Sequence, residues 1–316
     1  MKTNIYKPPR LLFNKHLQTI YPSLFRKLDS HFYQRERIET PDDDFLDLDW
    51  AKVGSDKLAI ISHGLEGSSQ RSYAVGMARA LNRARWDALA WNFRSCSGEI
   101  NRQLRMYHSG TIDDLHFVIS HALKNDYKQV ALVGFSMGGN QILVYLGQED
   151  YKIPSVLSKA VVFSVPTDLK SSAEKLAHWS NKIYMARFIR FLGEKIKAKA
   201  LMFPGQVSFE NYQLVKTFRD FDNRYTAALH GFKDAEDYWA KCSSKQFINR
   251  IKTSTLIVNA LNDPFLTPEC MPHQQSNANP FVTLETPAQG GHVGFVSCYG
   301  DCNYWSEERA IAFLDS

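Results

Sequence analysis

Short apolar runs alternate with amphipathic stretches along most of this chain. "LDLDWAKV" (46–53) alternates with period two and predicts an outer strand. "KLAIISH" (57–63) is apolar almost throughout and predicts a buried one. "RSYAVGMARALNRA" (71–84) has helical spacing, and "WDALAWNFR" (86–94) is strand-like again. "TIDDLHFVISHALKN" (111–125) opens with Thr111 and Asp114 three apart, which predicts a helix N-terminus there. "QVALVGF" (129–135), "KAVVFSVP" (159–166), "STLIVNALND" (254–263) and "FVTLETP" (281–287) predict further strands. "GNQILVYLGQ" (139–148) and "SEERAIAFL" (306–314) predict helices. Strands separated by helices predict βαβ units, hence an α/β fold with a mostly parallel sheet flanked by helices. From about 167 to 245 no strand pattern occurs, and the text is helical, aromatic and basic.

One predicted strand-to-helix junction carries chemistry. In "VGFSMGGN" (133–140), Ser136 stands between Gly134 and Gly138, with Gly139 next. A strand running straight into a helix leaves a very tight turn. Its apex residue is driven into a strained conformation, commonly with φ > 0. The residues two before and two after must be small, because the two arms of the turn pass close together. The apex hydroxyl then stands clear of the sheet. The helix N-terminus beneath it offers free N–H groups and positive potential to a developing oxyanion. This is the G-x-S-x-G nucleophile elbow in its required context.

A serine hydroxyl is a weak nucleophile at neutral pH and needs a base, which an acid must orient. Behind such an elbow the acid and the histidine follow in that order. Asp263 in "LNDPFLTP" comes directly after an apolar strand, and His292 in "QGGHVGF" lies in a glycine-rich loop after the next. Ends of successive parallel strands open onto one edge of a sheet, where these groups are expected to converge with Ser136. Asp263 is also a natural turn-former before Pro264. Asp168 in "VPTDL" is the competing acid. An oxyanion hole needs two N–H donors. Met137, after the serine, is expected to supply one, and Leu65 in "SHGLEGSS" (62–69) the other. His63 precedes the serine and fits a loop-shaping role better than that of a base.

Several further stretches carry a resemblance that covers nearly the whole chain. They are "NKHLQTIYPSLF" (14–25), "HGLEGSS" (63–69), "NFRSCSGEINR" (92–102), "YHSGTIDD" (107–114), "GFSMGGN" (134–140), "FDNRYTAALHGFKDAEDYW" (221–239) and "GGHVGF" (290–295). Together they resemble the YheT-like α/β-hydrolases, relatives of the ABHD-type esterases. The resemblance implies the α/β-hydrolase fold and serine carboxylesterase activity on short- to medium-chain acyl esters, acylglycerols among them. It implies Ser136 as nucleophile, Asp263 as acid and His292 as base. The chain departs from the family at Ser95, where a glycine is usual. The family is also noted for an H-x-x-x-x-D string, here His108 to Asp113; such a pair activates an alcohol in some acyltransferases. Asp113 has the plainer reading of helping the next helix to start. Transfer of the acyl group to an alcohol is the alternative activity. A non-catalytic binding protein on this fold is the alternative of another class.

Composition narrows the picture little further. A chain of 316 residues, 44% hydrophobic, can bury a large core. The expected organisation is a hydrolase core over 1–166 and 246–316, with a helical cap inserted over 167–245. The net charge of +5 is mild and no basic stripe occurs, so no nucleic-acid partner is expected. "RFIRFLGEKIKAKA" (187–200) is basic and amphipathic. A cap helix with a solvated basic face is the favoured reading, with peripheral membrane contact as the other. Trp179, Tyr184, Phe188, Phe191 and Trp239 are expected to pack this cap, some of them also lining an acyl tunnel. Arg94 and Glu99 are a candidate ion pair. The five cysteines are irregularly spaced and predict reduced thiols in a cytoplasmic protein. Neither a secretory signal nor the roughly 20 apolar residues of a bilayer span is recognisable. The expected partner is a small acyl ester, with no metal or redox cofactor.

Overall fold

In the computed structural model, which describes residues 6–300 and 302–316, β3 (Lys57–Ser62) and β5 (Gln129–Phe135) form the middle of an eight-stranded sheet. Both are apolar on both faces because both faces are covered. Leu58 and Ile60 pack with Leu115, Val118 and Ile142 on one side; Ala59 and Ile61 pack with Met77, Leu81 and Ala310 on the other. Those partners sit on α3 (Asp113–Ala122) and α4 (Met137–Gly147) on the first face. On the second they sit on α2 (Ser72–Arg83) and α11 (Trp305–Leu314). Each fully buried aliphatic side chain contributes about 1.5–3 kcal/mol.

The remaining strands are β1 (Gln34–Thr40), β2 (Asp44–Ala51), β4 (Asp87–Trp91), β6 (Leu157–Phe163), β7 (Ser254–Val258) and β8 (Val282–Glu285). Their order is β1-β2-β4-β3-β5-β6-β7-β8. The pairings of β1 with β2 and of β2 with β4 are antiparallel, and all others are parallel. The serine, acid and histidine loops therefore leave the same end of the sheet. Between β6 and β7 the chain runs through α5 (Leu169–Ala177), α6 (Lys182–Met202), α7 (Phe218–Phe221), α8 (Ala227–His230) and α9 (Ala235–Cys242). A helix α1 (Lys15–Phe25) precedes the sheet, and α10 (His273–Ala278) lies between β7 and β8.

Several expectations need correction. β2 is not an outer strand: the polar "QRERIET" forms β1 outside it. In the register, Arg37 faces Asp47 and Arg35 faces Asp49, with guanidinium–carboxylate distances of 2.7 and 2.8 Å. These pairs cover the face that alternation suggested was open to water. Helix α3 starts at Asp113 without a side-chain cap. Asp114 is instead buried against Arg94 at 2.8 Å, and the Thr111 hydroxyl accepts from the His108 N–H. Arg94 does not meet Glu99; it pairs with Asp42, Asp44 and Asp114, while Glu99 pairs with Arg37. Cys298 and Cys302 are joined by a disulfide, because the loop before α11 folds them together, so only Cys96, Cys242 and Cys270 are free. Ser95 has φ 63°, which explains why glycine is usual there; its hydroxyl bonds Asn101 in compensation. No helix among the described residues is long and apolar enough to cross a membrane.

Candidate active site

Only Ser136 separates β5 from α4, and its backbone sits at φ 53°, ψ −119°. Such a conformation costs about 1–3 kcal/mol and persists only when the surroundings hold it. A Cβ on Gly134 would lie 2.7 Å from the Gly139 Cα, so the two arms do crowd each other there. Gly138 is small for a different reason from the one expected. A Cβ there would strike the Ser62 and His63 carbonyl oxygens at the end of β3. The Ser136 N–H donates to the Phe163 carbonyl at 2.9 Å, tying the elbow to β6.

The structure brings Ser136, His292 and Asp263 together. His292 Nε2 lies 3.0 Å from Ser136 Oγ. Its Nδ1 lies 2.9 Å from Asp263 Oδ2 and 3.2 Å from Oδ1. The Asp263 carboxylate is fully buried and also accepts the Phe265 N–H at 2.8 Å. A buried carboxylate at Nδ1 fixes the ring proton on that side and leaves the Nε2 lone pair facing the hydroxyl. The Phe265 ring covers the imidazole, with centroids 4.2 Å apart.

The histidine loop is held by α1, a part of the site that the sequence analysis does not identify. Thr19 Oγ1 accepts the His292 N–H at 2.9 Å. Gln18 is completely buried; its Oε1 accepts from Gly290 N–H and Asn262 Nδ2, and its Nε2 donates to Leu12 O and Gln289 Oε1. A glutamine on the covered side of an amphipathic helix is the available signal, because a buried amide must find partners.

Asp168, the competing acid, is the N-cap of α5, where its carboxylate accepts the Ser171 N–H at 3.0 Å. His63 Nδ1–H donates to Gly64 O at 2.7 Å, and its Nε2 accepts the Phe93 N–H at 3.1 Å. Burial pushes its pKa down to about 3, so this ring is a neutral strut. The loop it shapes lies against Ser136: a Cβ on Gly64 would be 3.2 Å from the Ser136 Cβ. The N–H groups of Leu65 and Met137 donate to no protein acceptor among the described residues.

Glu66 anchors that loop to α6. Its carboxylate accepts from Lys195 at 2.8 Å and from the Tyr107 hydroxyl, and all three are largely buried. The basic face of α6 is therefore only partly solvated. Arg187 and Arg190 are exposed, but Lys195 and Lys199 are buried, the latter donating to the Asn101 and Gln103 carbonyls. Removing one partner of a buried ion pair leaves the other uncompensated. Lys195→Ala is expected to cost about 3–5 kcal/mol in urea unfolding, and pairing it with Glu66→Gln to recover part of that loss.

A cavity partly open to solvent adjoins Ser136 and His292 between the sheet edge and the helices after β6. Leu65, Leu169, Leu192, Phe188, Phe218 and Phe265 are among the apolar residues of its wall. Phe188 and Trp239 line it as well as packing the helices, whereas Trp179 is 80% exposed and packs nothing comparable. His108, Asp222 and His230 interrupt the apolar wall. Burial raises the Asp222 pKa to about 6. His108 and Asp113 do not form a pair: Asp113 bonds Arg105 at 2.7 Å, while the His108 ring lies 4.5 Å from that of His230, tilted to it, on the cavity wall. Among the described residues, no group of three or more His, Cys, Asp or Glu side chains is arranged to hold a metal ion.

Comparison with known proteins agrees with this architecture. A family model for the α/β hydrolase fold matches residues 59–297. The YheT protein of Escherichia coli (strain K12) is 34% identical over 92% of this chain and 86% of its own length. Phospholipase ABHD3 of Mus musculus is 27% identical over 93% of this chain and 74% of its own. The solved structure of the Pyrococcus furiosus esterase Pf2001 matches with a TM-score of 0.61 at 18% identity, covering 98% of each chain.

Proposed function

Because the chain belongs to the α/β-hydrolase fold family, in the group of YheT, we propose that it is a serine carboxylesterase acting on short- to medium-chain acyl esters. The observation that carries this reading is the continuous hydrogen-bonded line from Ser136 Oγ through the His292 ring to the buried Asp263 carboxylate. The names of the relatives point the same way: one is a phospholipase and one solved neighbour an esterase. In this reading residues 167–245 are a cap that closes the acyl cavity over a core made of 1–166 and 246–316.

The chemistry follows from the geometry. As Ser136 Oγ attacks the ester carbonyl carbon, its proton passes to His292 Nε2. Asp263 holds the Nδ1 proton and stabilises the imidazolium that forms. The Leu65 and Met137 N–H groups receive the oxyanion; one such donor contributes about 3 kcal/mol to transition-state stabilisation. Collapse of the intermediate breaks the C–O bond, and the leaving alcohol takes the proton from His292. Water then attacks the acyl-enzyme carbonyl, giving a proton to the same nitrogen; collapse breaks the bond to Ser136 Oγ, which takes that proton back from His292, and the carboxylic acid departs. The apolar wall suits the acyl chain, since each buried methylene adds about 0.8 kcal/mol.

Rapid mixing with p-nitrophenyl esters tests the proposal. The expected result is a burst of p-nitrophenol close to one equivalent of enzyme, followed by slower turnover. Catalytic efficiency is expected to rise from acetate to octanoate and fall at palmitate. No turnover of any ester in the series would contradict the reading.

A further inference from the structure

Ser136 and His292 line a second space besides the acyl cavity. It is a solvent-open cleft bounded by α1, the loop from Gly64 to the start of α2, and α6. Building on the esterase reading, we propose that this cleft receives the leaving alcohol, and that Arg71 and Arg187 select an alcohol bearing an anionic group, a phosphate or a carboxylate.

The cleft wall carries four cations, Arg26, Lys27, Arg71 and Arg187, against the single carboxylate of Glu66. Two of these five charges are already answered. Arg26 is buried and paired with Glu307, and Glu66 is taken by Lys195. That leaves Lys27, Arg71 and Arg187 with no carboxylate partner among the described residues, in the space that opens onto the nucleophile. Arg71 is half-buried and pre-positioned: one of its terminal nitrogens donates to the Glu66 carbonyl at 2.8 Å, so its other N–H groups remain for a ligand. Arg187 lies across the cleft beside Phe191. Partial desolvation, then repulsion from Arg71 and Arg190, pulls its pKa below the usual guanidinium value. Clustered like charges of this kind are relieved by an anion. Arg71 is also the N-cap of α2, which has no side-chain cap, and the Ser72 and Tyr73 N–H groups donate to no acceptor among the described residues. The helix end adds positive potential to the same place. A guanidinium pair binds phosphate or carboxylate oxygens bidentately, which fixes the alcohol's orientation as well as its charge.

The test compares three octanoyl esters, each below its critical micelle concentration so that no lipid surface forms. These are 1-octanoylglycerol, 1-octanoylglycerol 3-phosphate and the octanoyl ester of lactate. The wild-type chain at low ionic strength is expected to show kcat/KM about tenfold or more higher for an anionic ester than for the neutral one, the worth of about one charge-assisted hydrogen bond. The ratio is expected to fall towards one in Arg71→Gln/Arg187→Gln, and to shrink as salt is added. Arg187→Gln alone changes an exposed side chain; folding is secure there, and a partial fall in the ratio is expected. A preference for the phosphate over the lactate ester, or the reverse, identifies the source of the charge. Turnover of the neutral ester with no anionic preference, or a preference that both variants keep, overturns this proposal alone. No turnover of any of the three overturns the esterase reading and this one with it.

Discussion

Ser136→Ala is expected to lower kcat for p-nitrophenyl octanoate by about a millionfold while leaving the fold intact. The loss is large because no neighbouring group replaces the nucleophile. The Ser136 hydroxyl is the oxygen 3.0 Å from His292 Nε2, and the elbow aims it at the cavity. The fold survives because alanine meets the same backbone strain as serine at φ 53° and removes only one oxygen. Hydrolysis above the background rate remains, roughly 10³–10⁴ over water, from the oxyanion donors and substrate binding. Single-turnover assays with circular dichroism as the folding control measure both sides. Retention of a tenth or more of the wild-type rate would contradict the assignment.

The second large effect is expected at Asp263. Asp263→Asn is isosteric, and its Oδ1 still accepts the Phe265 N–H, so the loop stays in place. The amide nitrogen now faces His292 Nδ1 and donates to it. That moves the ring proton to Nε2, the nitrogen that must accept from serine. A loss of about 10⁴ in kcat is expected, with KM little changed. Asp168→Asn is the control. Its carboxylate caps α5 through the Ser171 N–H, a function that asparagine also serves, so activity within about twofold of wild type is expected. Equal losses in the two variants would undo the choice of acid.

The contrast between these two aspartates shows what is legible in a sequence. Asp263 lies in the loop after β7 and His292 in the loop after β8, and a parallel sheet sends such loops out at one edge. Ser136 is marked by its own neighbours: Gly134 answers the crowding of Gly139 in the same turn, although the clearance that Gly138 gives is to the end of β3. The parts that escape notice depend on remote partners. Gln18 and Thr19 hold the His292 loop across more than 270 residues of chain; the covered side of their helix marks Gln18 as needing partners but does not say which. β1 carries five charged or amide side chains in seven positions and becomes a strand because Arg35 and Arg37 meet Asp49 and Asp47 opposite. Lys195 reads as a solvated face residue until Glu66 and Tyr107, on separate loops, are found beneath it. Asp114 likewise resembles a helix-starting residue and is withdrawn from that role by Arg94. Local sterics and strand order can be read along the chain; pairings between distant polar side chains cannot.

The most direct measurement of the central claim is covalent. The full chain is treated with a fluorophosphonate, digested, and mapped by mass spectrometry. One adduct per chain is expected, on the hydroxyl of Ser136, forming with loss of ester hydrolysis and sharply slowed in Asp263→Asn. Hydrolysis that continues while Ser136 is fully modified, or an adduct on another residue that abolishes activity, would contradict it.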